Sequence, residues 1–152
     1  MMLKPAQPAD APGLTAIAHA AKRHWGYPEA WIQRWTAVLT ITPEMIARPA
    51  VFVAREAGTA VGFCAVVLAE GDAQLDHLWV LPAAMGRGIG RALFAQAEQQ
   101  ARALGARRLW TESDPHAETF YHRMGMRTVG YRAADMDGTA RRLPVMEKTL
   151  AP

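Results

Sequence analysis

Apolar residues along this chain change their spacing from helical to alternating and back. Leu14, Ile17, Ala18, Ala21 and Trp25 recur at helical intervals, and Asp10 precedes them as a cap. Lys4 to Pro8 ahead of that helix is short and extended. Gly26-Tyr27-Pro28 breaks the helix, and Pro28 can open a second one on which Trp31, Ile32, Trp35 and Leu39 share a face. Thr42-Pro43-Glu44 is a further cap-like start. The pattern then becomes β-like. Val51 to Ala54 and Ala60 to Leu68 are rich in β-branched and aromatic residues, with Ala57-Gly58-Thr59 as the turn between them. Leu75 to Leu81 is apolar on both parities, which predicts a strand covered on both faces near the middle of a sheet.

Helical spacing returns over Ile89 to Leu104, with Leu93, Ala97, Ala101 and Leu104 inward and Gly105 as the stop. Arg107 to Thr111 reads as the next strand. Strand, helix and strand over about thirty residues make a βαβ unit, so the two strands should run parallel. Asp114-Pro115 opens another helix, with Ala117, Phe120, Tyr121 and Met124 on one face and Gly125 at its end. Arg127 to Arg132 and Leu143 to Leu150 add two last strands around a polar loop. The expectation is an α/β chain with a sheet of mixed direction.

Composition narrows the class. The 152 residues suit one domain spanning 1–152, and 51% hydrophobic with 20% charged residues is ordinary for a globular protein. A formal charge of +3 is modest, and the aromatic-plus-basic signatures of nucleic-acid modules are missing. The single cysteine, Cys64, cannot form an internal disulfide and reads as an inert buried thiol. The first residues lack an apolar signal core, and the uncharged stretch from Ala57 to Ala69 is too short to span a bilayer. A cytoplasmic protein without membrane or nucleic-acid partners is expected. No His/Cys/Asp cluster has metal spacing, so no metal is expected.

The candidate chemistry begins at Val80-Leu81-Pro82, where an apolar strand stops. Gly86, Gly88 and Gly90 follow, interleaved with Arg87 and Arg91, and a helix begins at once. Glycines let backbone N–H groups approach a ligand, and a helix N-terminus carries about half a positive charge with unpaired donors. This is a cradle for phosphate or pyrophosphate. A dinucleotide fingerprint fails because Arg91 stands where its last glycine belongs, and no Gly-Lys pair supplies a P-loop.

Val80-x-Pro82, Gly88-x-Gly90 with Arg91-Ala92-Leu93, and Ala117-x-x-Phe120-Tyr121-x-x-x-Gly125 together resemble the GNAT superfamily of acyl-CoA-dependent N-acetyltransferases. The first groups are similar to its pyrophosphate loop and the last to its late cofactor helix. Met85 stands where that loop usually has Gln or Arg, His116 where the helix motif has Asn, and Met126 where it has Phe. A smaller GNAT subgroup is resembled at Trp25-Gly26-Tyr27, Asp76-His77, Met85 to Gly90, and Arg142-Leu143-Pro144, and it brings no substrate with it.

The resemblance implies a mixed, mostly antiparallel sheet, a parallel βαβ pair splayed around the cofactor, and helices on both faces. It implies acetyl-CoA or coenzyme A as co-substrate, a small-molecule amine as acceptor, and allows a homodimer. Cofactor contacts would come from Leu78, Trp79 and Val80 of the central strand and from Met85, Gly86, Arg87, Gly88, Ile89, Gly90 and Arg91 of the loop. Ser113, His116, Ala117, Phe120 and Tyr121 would complete them. Direct transfer in a ternary complex needs proximity, a donor for the oxyanion, a base for the amine and an acid for the thiolate. The family's oxyanion donor is a backbone N–H of the central strand, here around Leu78 to Val80. Its tyrosine acid falls on Tyr121.

Asp76 and His77 are the candidate bases. Strict alternation would admit only one of them to the cleft, and a bulge of the kind family members carry here would re-aim a side chain. Asp76 has the motif position, and His77 the better unperturbed pKa. His24, Trp25 and Tyr27 lie where the family lines its acceptor pocket, whereas Trp31 reads as a core residue. The pairs Arg107-Arg108 and Arg141-Arg142 read as solvated surface, with Arg142 the alternative partner for an acceptor carboxylate. A non-catalytic acyl-CoA sensor is the rival reading, with nucleic-acid binding behind it.

Overall fold

The computed structural model describes residues 1–48 and 50–150. Strands β1 (Met2–Pro5), β2 (Val51–Glu56), β3 (Thr59–Ala69), β4 (Asp72–Val80), β5 (Arg108–Glu112), β6 (Arg127–Met136) and β7 (Thr139–Thr149) form one sheet in the order β1-β2-β3-β4-β5-β7-β6. Every neighbouring pair is antiparallel except β4 and β5. This is the mixed, mostly antiparallel sheet with one parallel pair that the resemblance implied.

Three turns set the antiparallel registers. Ala57-Gly58, Glu70-Gly71 and Asp137-Gly138 each place two residues at positive φ, the conformation that matches the twist of a two-residue hairpin. The last of them corrects the expected polar loop, because β6 and β7 continue through it as paired strands to Met136 and Thr139. Asp137-Gly138 is itself a hairpin signal that the charged surroundings obscured.

Alternation sends apolar residues to both faces of the sheet. Val51, Val53, Phe63 and Ala65 pack under α1 (Ala11–His24), α3 (Thr36–Leu39) and α4 (Pro43–Ile46), against Leu14, Ile17, Leu39 and Ile46. Ala54, Cys64, Val66 and Leu75 face α5 (Ile89–Ala103) and α6 (Glu118–Arg123), against Leu93, Phe94, Ala97 and Tyr121. The single helix expected after Pro28 is two, α2 (Glu29–Arg34) and α3, separated at Trp35. Trp31 is half-buried and lies outside both core clusters, which corrects its reading as core. Asp10 does not cap α1: its carboxylate accepts from the Gln7 N–H (2.8 Å) and pairs with Arg55 (2.5 Å).

The feature that positions the site is the seam between β4 and β5. They pair only at Ala73–Leu109 and Gln74–Trp110. One residue further, the Leu75 carbonyl is taken by the Thr111 hydroxyl (2.9 Å) rather than by a strand N–H. Beyond that point the two strands diverge, and among the described residues the C-terminal half of β4 has no strand on its β5 side.

Candidate active site

Two cavities occupy this opening. The first, ≈ 670 Å³, lies between the C-terminal half of β4, the start of α5 and α6. The second, ≈ 610 Å³, lies on the α3 and β7 side. Both are lined by Asp76, His77, Ser113 and Asp114, so these residues form the wall where the cavities meet.

The floor of the first cavity is the glycine loop. Gly86 and Gly88 have φ of 79° and 83°, where L side chains are strained. Gly90 is needed for a different reason: a Cβ there would lie 3.3 Å from the Phe120 ring, so its absence lets α6 close against α5. The first helical bond of α5 runs from the Ala92 N–H to the Gly88 carbonyl (3.1 Å), leaving the N–H groups of the preceding first turn without helical acceptors. Arg91 and Arg123 line the same cavity, and neither has an ion-pair partner among the described residues. The N–H donors and two guanidiniums fit a pyrophosphate. Ala117, Phe120 and Met124 supply an apolar wall for the rest of an extended ligand.

β4 forms the wall opposite α6. Its register with β3 shifts between Ala65, paired with His77, and Val66, paired with Leu75. Asp76 is therefore the extra residue of a bulge, and Leu75 and His77, two positions apart, face opposite sides of the sheet. The bulge brings both Asp76 and His77 to the cavities, with Asp76 37% exposed and His77 7%. The Trp79 indole N–H donates to His77 Nδ1 (3.0 Å). An indole nitrogen only donates, so Nδ1 is an acceptor and the neutral ring carries its proton on Nε2, 3.8 Å from the Asp76 carboxylate. Burial lowers the pKa of His77, against the raising pull of Asp76, and favours that neutral ring. Further along, the Leu81 N–H donates to Val61 on β3 (2.8 Å). Successive strand N–H groups alternate in direction, so those of Leu78 and Val80 point into the opening.

Tyr121 comes from α6. Its ring packs in the core against Phe120 (5.2 Å) and Phe94 (6.2 Å), while the residue also lines the first cavity. Its hydroxyl has no hydrogen-bond partner among the described residues. Burial raises its pKa, and the nearby Cys64 and Asp114 add to the effect, so it is a protonated donor at neutral pH. Cys64 is fully buried, and burial pushes its thiol up to about 12, which makes it unreactive.

A polar network built on Asp114 closes the α1 side. Lys22 pairs with Asp114 (2.7 Å), the Tyr27 hydroxyl donates to the same carboxylate (3.0 Å), and His116 bonds it through its N–H and through Nδ1 (both 2.9 Å). Burial would raise the Asp114 pKa, but the Lys22 ammonium and the hydrogen bonds prevail and hold it below the usual carboxylate range. Lys22 is itself lowered, because burial and the Arg141 guanidinium outweigh the attraction of Asp114. Burial, with Asp114 adding to it, pushes the Tyr27 phenol up to about 12. Trp25 stacks on the His116 ring (5.0 Å, 6° between planes).

The acetyltransferase (GNAT) family model matches residues 14–126. The chain belongs to this family. Solved structures agree in fold: a GCN5-related N-acetyltransferase from Rhodopseudomonas palustris is 25% identical, with 98% of this chain and 95% of that one covered at a TM-score of 0.78. The PaiA N-acetyltransferase from Thermoplasma acidophilum, solved with coenzyme A, is 21% identical (97% and 98% covered, TM-score 0.75). A GNAT acetyltransferase from Brucella melitensis, solved with acetyl-CoA, is 23% identical (99% and 88% covered, TM-score 0.70). No curated protein matches.

Against that background the sequence-predicted residues of this GNAT acetyltransferase divide clearly. Leu78, Trp79 and Val80, then Met85, Gly86, Gly88, Gly90 and Arg91, line the first cavity. So do Ser113, His116, Ala117, Phe120 and Tyr121, together with Trp25. Arg87 does not: it turns outward to pair with Glu56 (2.7 Å). The Ile89 side chain is buried in the core at 2% exposure, leaving only its backbone to the loop. His24 touches Trp25 edge-on (5.2 Å) and lines neither cavity. Arg142 is exposed and lies over the Tyr131 ring (4.4 Å), whereas its neighbour Arg141 enters the second cavity. Sequence reasoning missed Lys22, Arg123, Asp114 as a network hub, and Arg141. Arg123 was findable, being three residues after Phe120 and so on the same helix face.

Proposed function

We propose that this protein transfers an acetyl group from acetyl-CoA to the primary amine of a small molecule bound beside it. The observation that carries the reading is the meeting of the two cavities at Asp76, with Tyr121 lining one of them. The Gly86–Arg91 backbone, Arg91 and Arg123 would hold the pyrophosphate, and Ala117 and Phe120 the chain that follows. Bound acetyl-CoA supplies an activated thioester. The C–S bond breaks as an N–C bond forms; the amine loses one proton, and the sulfur gains one.

Asp76 takes the amine proton, directly or through water. His77 is the weaker base, because its Nδ1 lone pair is already committed to Trp79 and its Nε2 carries a proton. It serves instead to position the Asp76 carboxylate. The N–H groups of Leu78 and Val80 are placed to donate to the oxygen that gathers charge during transfer. Tyr121 donates the proton to sulfur.

Calorimetry with acetyl-CoA should show saturable binding below millimolar concentration. Tyr121→Phe should lower kcat by about a hundredfold, the order expected for losing a general acid, with little change in acetyl-CoA affinity. Unchanged turnover would remove Tyr121 from the mechanism. Binding without acetyl transfer to any amine would favour the sensor reading.

A further inference from the structure

The second cavity carries a charge pattern that specifies its occupant. Its lining includes the cations Lys22, Arg132 and Arg141 and the carboxylates Asp76, Glu112 and Asp114. Lys22 is paired with Asp114 at 2.7 Å and Arg132 with Glu112 at 2.5 Å. Among the described residues, one cation and one anion of this lining therefore lack a carboxylate or guanidinium partner: Arg141 and Asp76.

Arg141 is half-buried and held in place by neutral groups. Its Nη2 donates to the Tyr27 hydroxyl (2.9 Å), whose own proton is directed at Asp114. The guanidinium lies over the rings of Tyr27 (5.1 Å), Trp35 (5.2 Å) and Trp31 (5.9 Å). Ring faces satisfy the flat face of a guanidinium and leave its edge, where its five N–H donors lie, largely unused. A planar fork fixed by aromatic faces, in a cavity with no free carboxylate beyond Asp76, is matched to an incoming carboxylate. Asp76, at the junction with the first cavity, is matched to an amine.

We infer that the acceptor is an amino carboxylate, its amine presented at Asp76 and its own carboxylate paired with Arg141. The inference rests on the acetyl-transfer reading of the same site. Trp35, Leu39 and Met45 line the remaining wall, so an apolar substituent is the one accommodated.

The test compares matched acceptors with acetyl-CoA, reading thiol release: leucine against isopentylamine, phenylalanine against phenethylamine, and γ-aminobutyrate against propylamine. The amino carboxylate of at least one pair should exceed its amine in kcat/KM by about a hundredfold, because the bare amine leaves Arg141 unmatched. Arg141→Gln should bring that ratio to within a few-fold of one, chiefly through KM, and Arg141→Lys should keep part of it. Equal use of both members of every pair, or preference for the amines, overturns the inference. So does a ratio that survives in a folded Arg141→Gln variant. Absence of both turnover and calorimetric binding for every amino carboxylate also overturns it. Saturable acetyl-CoA binding in the same preparation would assign such a failure to the acceptor rather than to the acetyl-transfer reading. The wild-type comparison stands even if the variants fail to fold.

Discussion

Asp114 joins α1, Tyr27 and His116 through one carboxylate that is only 8% exposed. Its partner Lys22 is 12% exposed, so removing the carboxylate strands a mostly buried ammonium. Asp114→Asn is nearly isosteric and should cost about 2–4 kcal/mol at neutral pH, toward the range for breaking a buried pair. The native carboxyl titrates below its unfolded value. Its contribution is therefore complete above about pH 4 and is lost as pH falls through the depressed native pKa. Urea unfolding at pH 7 and at several acid pH values should show lower stability in the variant and a flatter acid limb. Equal stability would mean that the network is held elsewhere. Asp114 was legible in the sequence only as a helix cap before Pro115, because its partners come from 92 and 87 residues away. The exchange of Arg142 for Arg141 has a similar origin. In a strand, neighbouring side chains point to opposite faces, so the parity of a strand end decides which arginine enters a pocket. Arg141 shares its parity with Leu143, which lines the same cavity, and it lies in β7 because that strand begins directly after the Asp137-Gly138 turn rather than at Leu143.

At the scale of elements, the spacing between α5 and the sheet sets where the glycine loop stands relative to β4. Gly62 on β3 controls that spacing. A Cβ there would lie 2.9 Å from the Trp79 carbonyl oxygen, 3.0 Å from Leu93 Cδ1 and 3.4 Å from Ile89 Cγ2. The carbonyl belongs to the sheet and cannot move aside as a flexible side chain could, so α5 must lift or β4 must shift. Gly62→Ala should cost about 1–3 kcal/mol, as overpacking does, and weaken acetyl-CoA binding although residue 62 lines neither cavity. Chemical denaturation and calorimetry read the two effects; wild-type values in both would show that the helix accommodates the methyl freely. Periodicity identified the helix, its inward Leu93, Ala97 and Ala101, and the centrality of β4. It could not reveal close approach at Gly62, which is a property of two elements. The bulge at Asp76 was anticipated from the family pattern alone, since the local sequence gives period two no reason to fail there.

For the whole molecule, the defining property is a sheet held across its middle by two parallel residue pairs. The β1–β4 half carries Asp76 and the Leu78 and Val80 N–H groups. The β5–β7 half and α6 carry Tyr121, His116 and Arg141. Besides α5, ties between the halves include Thr111 to Leu75 (2.9 Å), Arg108 to Asp72 (2.7 Å), Lys22 to Asp114 (2.7 Å) and the Tyr27 contacts with Asp114 and Arg141. The order of elements and the parallel pair were readable from the sequence, but its opening beyond Gln74 rested on the family resemblance: nothing in the run Leu75 to Leu81 states which neighbour it lacks. A ligand lying in that opening touches both halves, and it binds only when they are assembled. It therefore adds its binding free energy to folding. At a hundredfold excess over Kd, coenzyme A should contribute about 2.7 kcal/mol and raise Tm by about 5–10 °C for a chain of this size. Amide exchange should slow at Leu78 and Val80, whose N–H groups face the opening, and at Gly86 to Arg91, while the β6–β7 hairpin stays unchanged. A Tm that does not move at millimolar coenzyme A would refute the bridging role of the cofactor. A shift without protection at Leu78 and Val80 would place the ligand outside the seam between β4 and β5.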